Sequence, residues 1–149
     1  MHLAAISSFG SIVPVPNLDD WRQRWKRPIL QQLGIQGDTI ERGYARMLIK
    51  RPSDTDELFF RSALTIAVDL AAISAVNSQR EEGVQVANGT AELHLSFLSP
   101  LPDIVAVSAR VTHWSDYATH LALEARGTNN ELLVTGLTTY SLRPIRETT

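Results

Sequence analysis

Apolar and polar residues follow two different periods along this chain, and the change falls near Gly83. From Asp54 to Glu82 there is neither glycine nor proline. The middle of that stretch, Leu58 to Val76, reads LFFRSALTIAVDLAAISAV and is apolar nearly all round. A helix apolar on every side is a buried helix. Its alanines are the best helix formers and let other elements come close. At about 1.5 Å per residue it crosses a whole small domain. After Gly83 the period becomes two. Thr90–Phe97 sets Leu93, Leu95 and Phe97 against Glu92, His94 and Ser96, and Pro100 and Pro102 follow it. Ile104–Trp114 places Val105, Val107, Ala109 and Val111 on one face. Thr119–Arg126 and Leu132–Leu142 continue the alternation, with Leu121, Leu123 and Ala125 on one face of the former and Leu133, Leu137 and Thr139 opposite Val134, Thr138 and Tyr140 in the latter. The links WSDY and GTNN are short and rich in turn formers, so the last three strands are expected to form an antiparallel meander. Such a sheet covers one face and leaves the other to solvent, a partner or a ligand.

Upstream, the pattern is less regular. The chain to about Pro16 reads as an irregular arm. Asn17 or Asp19 is placed to cap a short helix, with Asp19 and Asp20 in its first turn. Trp21, Trp25, Ile29 and Leu33, spaced by four, form its apolar stripe. Pro28 predicts a kink or break, and Gly34 a C-terminal cap. Thr39–Lys50 alternates loosely and reads as one strand, stopped by Pro52-Ser53-Asp54. Ser53 with Asp56 resembles a capping box. The order is helix, strand, long buried helix and four strands, an α+β layer arrangement. The expected organisation is a single domain over residues 1–149: an arm and helix to 33, a core over 34–142 and a tail over 143–149.

Composition narrows the chemistry. The 149 residues carry a net charge of −2 and no cysteine. That excludes disulfides, thiolate metal sites and a cysteine nucleophile. The near-neutral balance gives no basic surface for nucleic acid. No apolar run reaches the roughly 20 residues of a membrane span, and MHLAAISSFGSIVPVP lacks the basic start of a signal peptide. A cytoplasmic protein is expected.

Asp69 is the only ionisable residue between Arg61 and Arg80. Among alanine, valine, leucine and isoleucine, its charge requires either partners or a function. Ser62, Thr65 and Asp69 share one helix face at i, i+3 and i+7. That stripe either lines a channel or consists of hydroxyls bonded to their own i−4 carbonyls. His94, His113 and His120 lie on separate strands without metal-ligand spacing, and solvated strand faces account for them. Gly89 and Gly127 belong to no nucleotide-binding motif.

Two stretches carry a family resemblance. Ala67-Val68-Asp69-Leu70-Ala71-Ala72-Ile73-Ser74-Ala75-Val76-Asn77-Ser78 resembles the L-A-D-x-A helix of the hotdog-fold acyl-CoA thioesterases of the phenylacetyl-CoA and hydroxybenzoyl-CoA types. Thr90-Ala91-Glu92-Leu93-His94-Leu95-Ser96-Phe97-Leu98-Ser99-Pro100 resembles the strand that follows it, and Val134-Thr135-Gly136 the last strand. The resemblance covers about residues 31 to 142. One motif departs: where that family carries H-G-G, nine residues before the acid, this chain has Phe60-Arg61-Ser62. The glycines allow a backbone N–H to approach a thioester carbonyl, although the N–H itself does not require glycine.

The resemblance implies a hotdog fold, a long helix wrapped by an antiparallel sheet of five to six strands, paired edge to edge as a dimer or tetramer. It implies hydrolysis of an acyl thioester, acyl-CoA first and acyl carrier protein second, without a metal or other cofactor. In that picture Asp69 acts on water or on the thioester, and Thr90 positions the water. Phe60, Arg61 and Ser62 lie near the backbone donors, supplied by the partner subunit. Thr65 shares the substrate face, while Asp54 either orients water or caps the helix. The arginines Arg61, Arg110, Arg126 and Arg143 are candidates for the phosphates of coenzyme A. The absence of a histidine between residues 3 and 93 argues against the dehydratases of the same fold. The competing expectation is a non-catalytic hotdog protein that binds acyl-CoA or fatty acid.

Overall fold

A computed structural model describes residues 5–6, 12–13, 18–81 and 83–145. In chain order the elements are β1 (Ala5–Ile6), β2 (Ile12–Val13), α1 (Leu18–Arg24), α2 (Pro28–Gln32), β3 (Ile35–Glu41), β4 (Tyr44–Lys50), α3 (Glu57–Gln79), β5 (Gln85–Phe97), β6 (Ile104–Trp114), β7 (Ala118–Arg126) and β8 (Leu132–Pro144). Six strands form one sheet in the order β3-β4-β6-β7-β8-β5, every neighbouring pair antiparallel. The α+β layout read from the sequence is present, including the β6-β7-β8 meander. β5 returns to the far edge beside β8, so β3 and β5 are the two sheet edges.

The core follows the alternation. Ala45, Met47 and Ile49 of β4, Val105, Val107 and Ala109 of β6, and Leu121, Leu123 and Ala125 of β7 are all buried against α3. From the helix come Ala67, Val68, Ala71, Ala72, Ala75 and Val76, also buried. The alanines bring the helix axis close to the sheet, so its backbone is shielded on that side.

Several expectations are corrected. In the arm, β1 pairs with β2 in a two-residue antiparallel ladder rather than being irregular throughout; Asn17 lies outside the described residues. Pro28 starts a new helix at its first position, where its missing N–H costs no bond. That break resets the phase, so Leu30 faces inward and Ile29 outward, the reverse of a continuous four-residue stripe. Gly34 is the cap residue expected, with φ +75°. The single strand over 39–50 is two strands joined at Arg42-Gly43, where Gly43 takes φ +73°. The period of two ran through that turn because a two-residue link preserves the alternation.

Asp56, not a Ser53 pair, caps α3: its carboxylate accepts from the Phe59 N–H at 2.8 Å. Asp54 stands in the preceding turn with φ +62°. The helix is not buried all round. Its N-terminal half presents Leu58, Phe59 and Ile66 to the outside, Ile66 with 45% of its surface open. At 23 residues α3 is also long and apolar enough, by composition, to cross a membrane, contrary to the count made along the sequence. Here 56% of its apolar window is buried inside the fold, the behaviour of a core helix. β5 begins at Gln85, five residues before the start read from the sequence. On β8 the inward set is Val134, Thr138, Tyr140 and Leu142, while Leu137 is exposed.

Candidate functional site

The only acid of the α3 interior meets β5 where that strand is least regular. The β5–β8 register shifts between Ala87 and Gly89 and again between Thr90 and Glu92. Bulges of this kind re-aim side chains and concentrate near functional sites. Between the two shifts Thr90 turns its hydroxyl to the helix and donates to Asp69 Oδ1 at 2.6 Å. The bond spans 21 residues of sequence. Asp69 is half-buried and Thr90 exposed, so the pair lies at the rim of the core, open to solvent.

Tyr140 of β8 stands opposite Thr90 in the sheet register. Only 5% of its surface is exposed. Burial, and then the nearby charge of Asp69, push its phenol above the ordinary tyrosine range. Sequence reading had placed Tyr140 on a strand without a role. Its signal was positional: it shares a face with Val134 and Thr138, and cross-strand pairing with Thr90 becomes visible only with the register.

The other candidate residues are placed differently. Ser62 donates to the Leu58 carbonyl at 2.8 Å and Thr65 to the Arg61 carbonyl at 2.9 Å, so both hydroxyls serve their own helix. Phe60 is 0% exposed and belongs to the core. Its backbone N–H donates to the Asp56 carbonyl at 3.1 Å. Because α3 already begins at Glu57, the N–H groups of Phe60, Arg61 and Ser62 fall within the helical ladder. Arg61 lies over the Phe97 ring at 4.6 Å and pairs with Glu57 at 3.4 Å. Asp54 is exposed in its turn, outside the Asp69–Thr90 contact.

His94, His113 and His120 are exposed on the sheet. The His113 and His120 rings lie tilted by 43° with centroids 5.8 Å apart, and His120 Nδ1 is hydrogen-bonded to the Thr139 hydroxyl at 3.0 Å. Among the described residues no three His, Cys, Asp or Glu groups converge as metal ligands. Arg110 and Arg126 lie on the outer sheet face, away from Arg61 on the helix. The four candidate arginines therefore do not form one cluster.

Chemically, the arrangement is a carboxylate with one oxygen held by a hydroxyl. The second oxygen has no hydrogen-bond partner among the described residues.

No family model matches the sequence, and no curated protein is significantly similar to it. Solved structures are similar in shape. A mutant thioesterase from Pseudomonas aeruginosa aligns with a TM-score of 0.74 at 16% identity, covering 87% of this chain and 96% of that one. A thioesterase from Haemophilus influenzae aligns at 0.72 and 15% identity, over 97% and 98%. A thioesterase family protein from Silicibacter pomeroyi aligns at 0.70 and 20% identity, over 85% and 98%. This chain has the hotdog fold. The helix wrapped by its sheet is α3, and the segment that closes the hotdog sheet beside β8 is β5, the two elements that hold Asp69 and Thr90.

Proposed function

We propose that this hotdog protein hydrolyses an acyl thioester, with Asp69 as the catalytic carboxylate and Thr90 as the residue that holds it. The observation carrying the reading is the Thr90–Asp69 hydrogen bond of 2.6 Å, which locks one carboxylate oxygen and leaves the other to a water. Water would lose its proton to Asp69 as its oxygen bonds to the thioester carbonyl carbon. Collapse of the tetrahedral adduct would break the C–S bond, and the proton would pass to the leaving thiolate. The products are a carboxylic acid and a free thiol. With no cysteine in the chain, a thiol nucleophile has no part in the reaction. The substrate class is acyl-CoA, with acyl carrier protein thioesters second.

The active form is a homodimer or a tetramer built from it. Two features support this: the exposed β5 edge around Thr90 to Glu92, and the apolar Leu58, Phe59 and Ile66 left uncovered on α3. The beginning of α3 in a second copy would supply the N–H groups that polarise the substrate carbonyl.

One observation favours a second reading, a hotdog protein that binds acyl-CoA or fatty acid without turnover. The N–H groups of Phe60 to Ser62 are spent in the helix, and Arg61 and Ser62 carry side chains where the resembled family has its glycines. A panel of acyl-CoA substrates, assayed by release of free thiol on wild type and Asp69→Asn, separates the two. Turnover by wild type that falls in Asp69→Asn supports hydrolysis. Ligand binding without turnover at any chain length supports the second reading. Full activity in Asp69→Asn removes Asp69 from the mechanism.

A further inference from the structure

The outer face of the sheet, turned away from α3, contains a built groove. Its origin is the strand register. β6 places Ala106 and Ser108 outward, and β7 places Ala122 beside them. The residues paired across from these small side chains are long. Arg46 and Glu124 flank Ser108, and Leu48 and Arg126 flank Ala106. Arg110, paired with both Tyr44 and Ala122, closes one end. A floor of small residues between long walls leaves a cavity of about 470 Å³, within the ~300–1,000 Å³ usual for small-molecule sites.

The charges in this groove do not balance. Arg46 pairs with Asp38 at 3.4 Å and Arg126 with Glu124 at 2.9 Å. Arg110 has no carboxylate within 4.0 Å among the described residues; its guanidinium lies 4.4 Å over the Tyr44 ring. Contact with a ring face consumes none of the guanidinium N–H donors, which stay available to a planar acceptor. The surplus is a single positive charge, suited to a monoanion. Leu48 and Ala106 continue the groove with apolar surface.

We propose that the groove is a ligand site for a small organic carboxylate with an apolar body, its head on Arg110 and its body over Ala106 and Leu48. The site lies on the opposite side of the sheet from Asp69 and stands independently of the thioester reading.

An NMR titration of backbone amides in the full chain tests it, with phenylbutyrate as probe and phenylbutyramide as its neutral counterpart. Saturable shifts are expected at Leu48, Ala106 and Ala122 with the acid, and binding of the amide weaker by about ten-fold, the scale of one charge-assisted hydrogen bond. Arg110→Gln, an exposed change, should weaken the acid by a similar ~10-fold and leave the amide unaffected. Ala106→Phe, which fills the floor, should abolish both. Equal binding of acid and amide overturns the proposal. So do shifts confined to the surroundings of Asp69 and Thr90, no saturable shift at millimolar acid, or groove amides that broaden with protein concentration and are not released by the acid, the sign of a second copy.

Discussion

Replacing Ser78 by alanine tests how the end of α3 is tied to the β3–β4 turn. Ser78 is 1% exposed. Its hydroxyl accepts the Gly43 N–H at 2.9 Å and lies 2.7 Å from the carbonyls of Glu41 and Ala75, one of which receives its proton. Removing the oxygen orphans the Gly43 N–H in a buried turn and takes one donor from the Glu41 or the Ala75 carbonyl, whichever receives the proton. An unsatisfied buried group costs about 1–3 kcal/mol. Alanine restores about 0.5 kcal/mol of helix propensity. The net expectation is a loss of about 2 kcal/mol for the orphaned Gly43 N–H and the one lost hydroxyl–carbonyl bond together. For a chain of this size that corresponds to a fall of roughly 4–8 °C in Tm. Urea unfolding followed by the fluorescence of the three tryptophans measures it, with the m-value expected to be unchanged. Ser62→Ala is the control, because that exposed hydroxyl only serves its own helix, and it should stay within about 0.5 kcal/mol of wild type. A Ser78→Ala loss below about 0.5 kcal/mol, or one no larger than the control, would refute the reasoning that Ser78 bridges helix and hairpin.

Three further outcomes are expected. Thr90→Val removes the bond to Asp69 at nearly constant shape, and should lower kcat by about ten-fold with KM little changed, while Thr90→Ser retains activity; equal loss in both variants would speak against the hydroxyl. The raised Tyr140 phenol, held up first by burial and then by Asp69, contributes stability that is complete below about pH 10 and is lost as pH rises through the folded-state titration. Tyr140→Phe should therefore flatten the alkaline fall of the unfolding midpoint, and an unchanged slope would show that the group does not couple to folding. Ile66→Glu places a charge on the uncovered face of α3 and should shift sedimentation toward the monomer; an unaltered sedimentation coefficient would locate the contact elsewhere.

What the sequence determined by itself are the features that nearest neighbours control. The alanine-rich helix, the period-two strands, the β6-β7-β8 meander and the Gly34 cap were all legible, because helix propensity, alternation and turn chemistry act over a few residues. Asp69 was also legible, as one acid in an apolar run, and Thr90 through the resemblance. The β3–β4 turn was passed over, since a two-residue link leaves the alternation intact. Only the tertiary structure decided what depends on contacts distant in sequence. The two β5 register shifts turn Thr90 onto Asp69 and set Tyr140 beside it. The helix start at Glu57 absorbs the N–H groups of Phe60 to Ser62, because Asp56, not an earlier residue, supplies the cap. The outer groove likewise exists only because small residues of β6 fall in register between long ones of β4 and β7. A one-residue slip would expose the buried set and is opposed by the alternation, but a two-residue slip would keep every face and still part these residues, so only the pairing across the sheet decides who stands opposite whom.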